Sequence, residues 1–325
     1  MKAMVCTRYG GPEVLQLQER PKPVPKDNEI RVRIQAASIT PSDCAFRKAN
    51  PFMIRFLYGL RRPKYPVLGV ELSGEVESIG KDVQLFKVGD QVYGISPRSF
   101  GTYAEYKCLP ETQPITLKPV NMSNEEAVAI CDGALTALTF LRDVAKIQRG
   151  HKILINGSSG AVGAYAVQLA KIFGAEVTGV CSKANGAFVK SLGADKVVDY
   201  NLEDFNASGQ RYDVIFDAVG KSSYSRCKRS LSAKGVYLTT VPTLSAMLQM
   251  IWTSKSKGTK VKFVAAGLQQ NKENLQFLKK LAEEEKIKPV IDRCYALEQI
   301  AEAHRYVEKG HKKGNVVISF TAKVL

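Results

Sequence analysis

Asn156-Gly157-Ser158-Ser159-Gly160-Ala161-Val162-Gly163 is the stretch that decides the fold. It follows the apolar run Lys152 to Ile155 and precedes a helix-like segment, Ala164 to Phe173. A strand feeding a glycine-rich turn that opens a helix directs backbone N–H groups and the positive helix end at a pyrophosphate. Gly160 and Gly163 permit close approach of backbone, cofactor and strand, while Ser158 replaces the first glycine of the usual G-x-G-x-x-G. Glycine turns also join strands to helices for structural reasons alone, so the flanking sequence decides the reading.

Downstream, Glu176 to Val180, Lys196 to Tyr200 and Tyr212 to Asp217 read as further strands, separated by helix-length apolar segments. Short β-branched runs alternating with helices call for right-handed βαβ units and a parallel sheet covered on both faces. The expected fold class is therefore α/β, a Rossmann doubly wound parallel sheet. Its cofactor is read from the end of the second strand. An adenosine ribose with a free 2′-hydroxyl is normally held by an acid about 20 positions past the glycines, and a 2′-phosphate needs that acid absent. Here the strand runs into Cys181-Ser182-Lys183. A hydroxyl and an ammonium complement a phosphate, so the sequence favours NADPH over NADH.

With 325 residues the chain is too long for one such unit and needs a second lobe. Glu29 to Ala37 and Gly69 to Ile79 alternate like strands, punctuated by Gly80, Gly89-Asp90 and Gly94 as in an antiparallel, turn-rich domain. Asn274 to Glu285 has amphipathic helical spacing, Lys288 to Ile291 reads as an extended return, Leu297 to Val307 as a helix and Gly314 to Ser319 as a final strand. The tail strand is expected to return to the N-terminal lobe. Seven scattered cysteines without a C-x-x-C pair, and no secretory leader, predict reduced thiols and a cytoplasmic setting. No run reaches the roughly 20 apolar residues of a membrane span.

The net charge of +16 reads as a basic surface. Its concentrated patch, Phe52 to Lys64, is apolar and cationic together, and reads as a helix at the pocket mouth in preference to a peripheral membrane contact. With no appended basic arm, no dedicated nucleic-acid binding is expected.

These residues resemble the medium-chain dehydrogenase/reductase superfamily, specifically its zinc-free quinone-oxidoreductase branch, over essentially the whole chain. The resemblance rests on Gly10 to Leu15, Thr40-Pro41-Ser42-Asp43, Pro66 to Val76, Gly89 to Gly94, Thr136-Ala137, the glycine turn, Leu192 to Asp195 and Asp217 to Gly220. It implies a GroES-like, mostly antiparallel β catalytic domain at residues 1–125 and 289–325, around a Rossmann NADP-binding domain at 126–288. The superfamily's zinc enzymes take a cysteine and a histidine from positions where this chain has Thr40 and Val70. No catalytic metal is expected, since neither those two side chains nor His151, His304 and His311 supply a three-ligand site.

Without a Lewis acid, the favoured acceptor is a quinone or an α,β-unsaturated carbonyl, whose conjugation spreads the incoming charge. The expected function is NADPH-dependent hydride transfer to such an acceptor. Tyr58 or Tyr65 is the candidate acid or oxyanion donor, with proton supply from solvent as the alternative; both lie in the insertion before Pro66 that should overhang the nicotinamide. Asp43 is expected to brace its loop, and Thr40 to offer a hydroxyl to substrate. The resemblance also implies cofactor contacts at Ser159, Gly160, Ala161, Val162 and Gly163, at Ser182 and Lys183, at Tyr200 near the adenosine, and at Thr136, Val219 and Thr240 toward the nicotinamide. It implies a homodimer through strands around Lys260 to Ala266. Two other readings stay open: an NADPH-binding regulatory protein with little turnover, and a zinc-free alcohol or carbonyl reductase.

Overall fold

The computed structural model describes residues 1–321, so the last four residues of the 289–325 segment lie outside the described residues. In chain order the first strands are β1 (Lys2–Cys6), β2 (Leu15–Glu19), β3 (Glu29–Ile39), β4 (Glu71–Ile79), β5 (Gln91–Ile95), β6 (Tyr106–Pro110) and β7 (Ile115–Leu117). There follow β8 (Lys152–Asn156), β9 (Glu176–Cys181), β10 (Lys196–Asp199), β11 (Tyr212–Asp217), β12 (Leu231–Thr239), β13 (Lys260–Lys262), β14 (Ile291–Ala296) and β15 (Asn315–Ser319). Contacts divide the chain into one unit of Met1–Asp132 with the segment from Gln270 onward, and a second of Gly133–Gln269.

In the first unit the strand order is β14-β15-β3-β4-β5-β7, with β6 also paired to β3, and a separate β1-β2 hairpin. All these pairs are antiparallel except β14 with β15. The tail strand does return to the N-terminal lobe: β15 lies antiparallel to β3, Val317 opposite Ser38. In β3 burial alternates through Ile30, Val32 and Ile34 and then becomes continuous from Ala36 to Ile39. The helix Asn124–Ala129 accounts for the change, because Val128 and Ala129 pack on Ala36 and Val317 and cover the second face.

The second unit is a six-stranded parallel sheet in the order β10-β9-β8-β11-β12-β13. Counted from β8, this is the 3-2-1-4-5-6 arrangement of a dinucleotide-binding sheet, whose order reverses between β8 and β11. Ile153, Leu154 and Ile155 are all fully buried, as expected of a central strand covered on both faces. The helix Ala161–Ile172 connects β8 to β9, and the short helix Gly186–Ser191 connects β9 to β10.

One expectation fails in length. The Phe52 to Lys64 stretch forms a helix only over Ile54–Tyr58. Gly59 leaves it at φ +115°, a conformation L side chains rarely adopt, and the chain turns back so that the Lys64 N–H donates to the Tyr58 carbonyl at 2.6 Å. None of the seven cysteines, all of them described, is in a disulfide. Among the described residues no helix is long and apolar enough to cross a membrane.

Candidate functional site

The turn after β8 is built from the strand side. Ser158, where the first motif glycine would stand, is fully buried, and its N–H and Oγ both donate to the Val180 carbonyl, at 3.1 and 3.0 Å. The Gly157 N–H donates to the same oxygen at 3.0 Å, which fastens the turn to β9. Ser158 is thus a brace, a role its position in the motif did not reveal. Gly157 sits at φ +80°, and a Cβ on Gly163 would lie 2.1 Å from the Gly157 oxygen, so helix and turn meet backbone to backbone.

Gly160 differs from both. It is the N-cap of the helix Ala161–Ile172, has no side-chain cap, and a Cβ added there would meet only the Gly157 oxygen at 3.4 Å. The protein's own packing does not demand a glycine at this position; a ligand pressed against the turn would. The N–H groups at the start of that helix, from Ala161, Val162 and Gly163, have no intrahelical acceptor and form an anion cradle. This donor set fits a pyrophosphate. Gly160→Ala is therefore expected to leave the melting temperature within about 1 °C while weakening dinucleotide binding by about tenfold or more, measured by titration calorimetry. Gly163→Ala is expected to lower the melting temperature by about 3 °C or more.

The other predicted contacts of the second unit gather at the same C-terminal strand ends. Ser182 stands at the N-cap position of a short 3-10 turn, Lys183–Asn185, directly after β9, without a side-chain cap bond, and the Asn185 amide donates to Ser159 Oγ at 3.2 Å. Lys183 is exposed and has no ion-pair partner among the described residues. Tyr200 follows β10, is 54% exposed, and donates its N–H to the Cys181 carbonyl. Asp199 is paired in register with Cys181, and its Oδ1 accepts from the backbone N–H and the side-chain amide of Asn201. Thr136 lies on the helix Asp132–Leu138, whose Gly133 abuts Ala161 and Tyr165 at the start of the glycine-turn helix.

Val219 and Thr240 are positioned by a residue to which sequence reasoning gave no role. Asp217, fully buried at the end of β11, accepts from Asn156 Nδ2 at 3.0 Å, from the Tyr237 hydroxyl at 3.1 Å and from the N–H groups of Val219 and Ser222 at 3.3 and 2.8 Å. Its backbone carbonyl accepts from Thr240. Burial, with the Asp217 charge adding to it, pushes the Tyr237 phenol well above its ordinary value and keeps it a donor. One carboxylate thereby ties β8, β11 and β12 together and sets Val219 against Gly157. The string Asp217-Ala218-Val219-Gly220 was the available signal.

In the first unit Thr40 and Asp43 form a reciprocal capping box on the helix Pro41–Lys48. Thr40 N–H and Oγ1 both donate to Asp43 Oδ2, at 2.8 and 2.7 Å, and Thr40 Oγ1 accepts from the Asp43 N–H at 3.2 Å. The Thr40 hydroxyl hydrogen is directed at Asp43, so Thr40 acts here as a brace and not as a donor free for substrate. Burial pushes the Asp43 carboxyl up to about 6, against the hydrogen bonds from Thr40. The neighbouring Glu71 is raised well above the usual carboxylate range by burial, with the charge of Asp132 adding to it.

A carboxyl raised on folding holds its proton more tightly in the native state, so its effect is a loss of stability as pH rises from the ordinary carboxylate value toward about 6. Asp43→Asn, which keeps an acceptor for Thr40, is expected to flatten that fall. Urea midpoints of both proteins between pH 4 and 7 check this, and parallel curves would contradict it.

Tyr58 and Tyr65 belong to an aromatic group with Phe46 and Phe100. Ring centroids lie 4.6 Å apart for Phe46 and Tyr58, 5.3 Å for Tyr58 and Phe100, and 5.8 Å for the stacked Tyr65 and Phe100. Both tyrosines are half-buried, and among the described residues neither hydroxyl has a hydrogen-bond partner. Burial raises the Tyr58 phenol above its ordinary value, so it remains a donor at neutral pH. Nearby, Cys44 Sγ lies 3.3 Å from His304 Nδ1. Burial pushes that thiol up to about 12 and that imidazole down to about 3, so burial favours the neutral form of both. Among the described residues no group of three or more His, Cys, Asp or Glu is arranged to hold a metal ion.

Two family models match the chain, an alcohol dehydrogenase GroES-like domain over residues 26–119 and a zinc-binding dehydrogenase over residues 192–318. A chloroplast envelope quinone oxidoreductase homologue of Arabidopsis thaliana is 34% identical over 98% of both chains. A 2-methylene-furan-3-one reductase of Solanum lycopersicum is 32% identical, covering 98% of this chain and 79% of its own. The solved quinone oxidoreductase of Coxiella burnetii superposes with a TM-score of 0.88 at 33% identity, covering 98% of this chain and 99% of that one. With the glycine turn, the 3-2-1-4-5-6 sheet and the GroES-like unit, these findings make the chain a member of the medium-chain dehydrogenase/reductase superfamily, in its quinone-oxidoreductase branch, an oxidoreductase family that uses a nicotinamide cofactor.

Proposed function

We propose that this protein is an NADPH-dependent, zinc-independent reductase of quinones or α,β-unsaturated carbonyls. The observation that carries the reading is the pair of half-buried phenols, Tyr58 and Tyr65, set among aromatic rings with no protein partner for either hydroxyl among the described residues. Flat conjugated acceptors stack on such rings, and their oxygens need a donor when charge arrives.

Reduced nicotinamide, when bound, supplies the hydride. The chain's own part is division of labour. Ala161, Val162 and Gly163 hold the pyrophosphate through backbone N–H groups, while Ser182 and Lys183 hold the 2′-phosphate and Tyr200 flanks the adenosine. Val219, Thr240 and Thr136 orient the nicotinamide end. In the other unit Phe46 and the buried Phe100 hold the phenol rings in place, and Tyr58 or Tyr65 donates to the oxygen on which charge accumulates. Asp43 keeps its loop in place through Thr40. Neither Thr40, whose hydroxyl is engaged, nor Val70, which has no donor atom, is equipped to hold zinc.

NADPH oxidation followed against quinones, acrolein-like enones and simple ketones tests the reading. Oxidation with the first two and little with the third is expected. Stoichiometric NADPH binding with no oxidation by any would make the protein a cofactor-binding regulator, and faster ketone reduction would make it a carbonyl reductase. The reading also includes a homodimer through β13, which among the described residues is the edge strand of its sheet, paired with β12. Sedimentation that finds only monomer would remove that part.

A further inference from the structure

The helix Leu244–Ser254 buries only Ala246 and Thr253. Leu244, Leu248 and Ile251 follow one another at helical spacing with Met247 and Trp252 beside them, and all five are exposed, Ile251 at 68% and Trp252 at 73%. A soluble helix normally turns such a stripe inward, and a continuous exposed one marks a contact surface. Both ends are secured. Thr243 Oγ1 accepts from the Ala246 N–H at 3.1 Å, and Lys260 Nζ donates to the carbonyls of Thr253 and Ser254 at 2.8 and 2.7 Å. Midway, the Gln249 amide donates to Ser225 Oγ at 2.9 Å.

Along the sequence the segment that carries this stripe has charge of one sign, and of its cations Arg226, next to Ser225, is paired with Asp204 from outside it. Between Asp217 and Glu273 there are ten lysines and arginines and no acidic residue, so much of the net charge of +16 arises in this one segment. Lys255 and Lys257 are exposed at the C-terminal end of the helix. The Cβ position of Gly258 lies 3.8 Å from the Ala233 carbonyl, which brings exposed Lys234 to the same end. None of these three lysines has an ion-pair partner among the described residues.

An apolar stripe beside an acid-free cationic end complements an anionic lipid surface. The acyl boundary takes Leu248, Ile251 and the amphipathic Trp252 ring, and the lipid phosphates meet the ammonium groups. A nucleic acid would use the lysines and leave the stripe wet. In the other exposed apolar stretch, Phe52 and Phe56 pack edge to face, and the Arg55 guanidinium between them is already engaged, 4.9 Å from the Tyr9 and 5.4 Å from the Phe52 ring centroid. We infer that the helix Leu244–Ser254 lies in the plane of an anionic membrane surface and docks the protein there. The inference does not depend on which acceptor is reduced.

Trp252 is the single tryptophan, so its emission reports on this helix alone. The full-length protein is mixed with vesicles of phosphatidylcholine, or of phosphatidylcholine with about one third phosphatidylglycerol. Co-sedimentation with the anionic vesicles only, a blue shift of Trp252 and its shielding from acrylamide are expected. Leu248→Ser with Ile251→Ser is expected to cut partition by about tenfold or more. Lys255→Gln with Lys257→Gln is expected to cut it by about tenfold at low salt, and salt to weaken the wild type similarly. All four side chains are exposed, so unchanged circular dichroism melting confirms folded variants. The inference is overturned by absence of binding to anionic vesicles, by binding without a Trp252 shift, or by wild-type binding in the Leu248/Ile251 variant. It is equally overturned by a Trp252 shift that follows protein concentration without lipid, which would mark a self-association face. Binding to single-stranded RNA but not to vesicles, or an equal loss in Met53→Ser with Phe56→Ser, would overturn it too.

Discussion

Replacing Lys183 by glutamate is expected to raise the Michaelis constant for NADPH by roughly 10- to 100-fold while leaving that for NADH within about twofold. The difference follows from where the side chain sits. Lys183 stands just past the end of β9, exposed and without an ion-pair partner among the described residues, beside Ser182. Strand ends at this edge of a dinucleotide sheet receive the adenosine ribose, and an ammonium there adds a charge-assisted bond that only a 2′-phosphate exploits. A glutamate removes that bond, repels the phosphate and supplies the acceptor that a free 2′-hydroxyl prefers. Because the side chain is exposed, the substitution is expected to leave the melting temperature unchanged. Initial rates with both cofactors check the prediction, and equal changes for NADPH and NADH would remove the 2′-phosphate assignment.

The second large effect belongs to the phenols. Tyr58→Phe and Tyr65→Phe each delete one oxygen and keep the ring contacts with Phe46 and Phe100, so stability is expected to hold. If one or both phenols donate to the developing oxyanion, the double variant loses turnover by about 100- to 1,000-fold with a small change in KM. Singly, the larger loss identifies the principal donor. Burial raises the Tyr58 phenol above its ordinary value, so turnover dependent on it stays level through neutral pH and falls only in the alkaline limb. Undiminished turnover in both single variants and in the double variant would hand proton supply to water.

How far the sequence could be read depended on the range of the interactions. The glycine turn, β8 to β11 and the closing strand were legible because each carries a local signature: a β-branched run, a turn residue or helical spacing. Ser158 was visible only as a departure from the motif, since its bonds to Val180 cross 22 positions of sequence. Asp217 was visible only as part of a string, because its partners Asn156 and Tyr237 come from two other strands. The Phe52 to Lys64 patch had helical composition, but Gly59 at positive φ stopped the helix after Tyr58, and composition does not record φ. Thr40 was read as a residue for substrate because its motif position suggested it; the capping box with Asp43 that occupies its hydroxyl is itself a local pattern of four residues. The exposed stripe on Leu244–Ser254 is the clearest gap, since apolar spacing alone reads as a buried face whether or not anything covers it.

Hydride delivery to a conjugated acceptor without a metal is the proposed chemistry on which the site assignments rest. It is checked by kcat/KM with NADPH for an enone and for the saturated ketone of the same carbon skeleton, on protein dialysed against a chelator and shown by elemental analysis to be metal-free. A ratio of about 100 or more in favour of the enone, unchanged by the dialysis, is expected. A ratio near one, or enone turnover that is lost on dialysis and restored by added zinc, would contradict it.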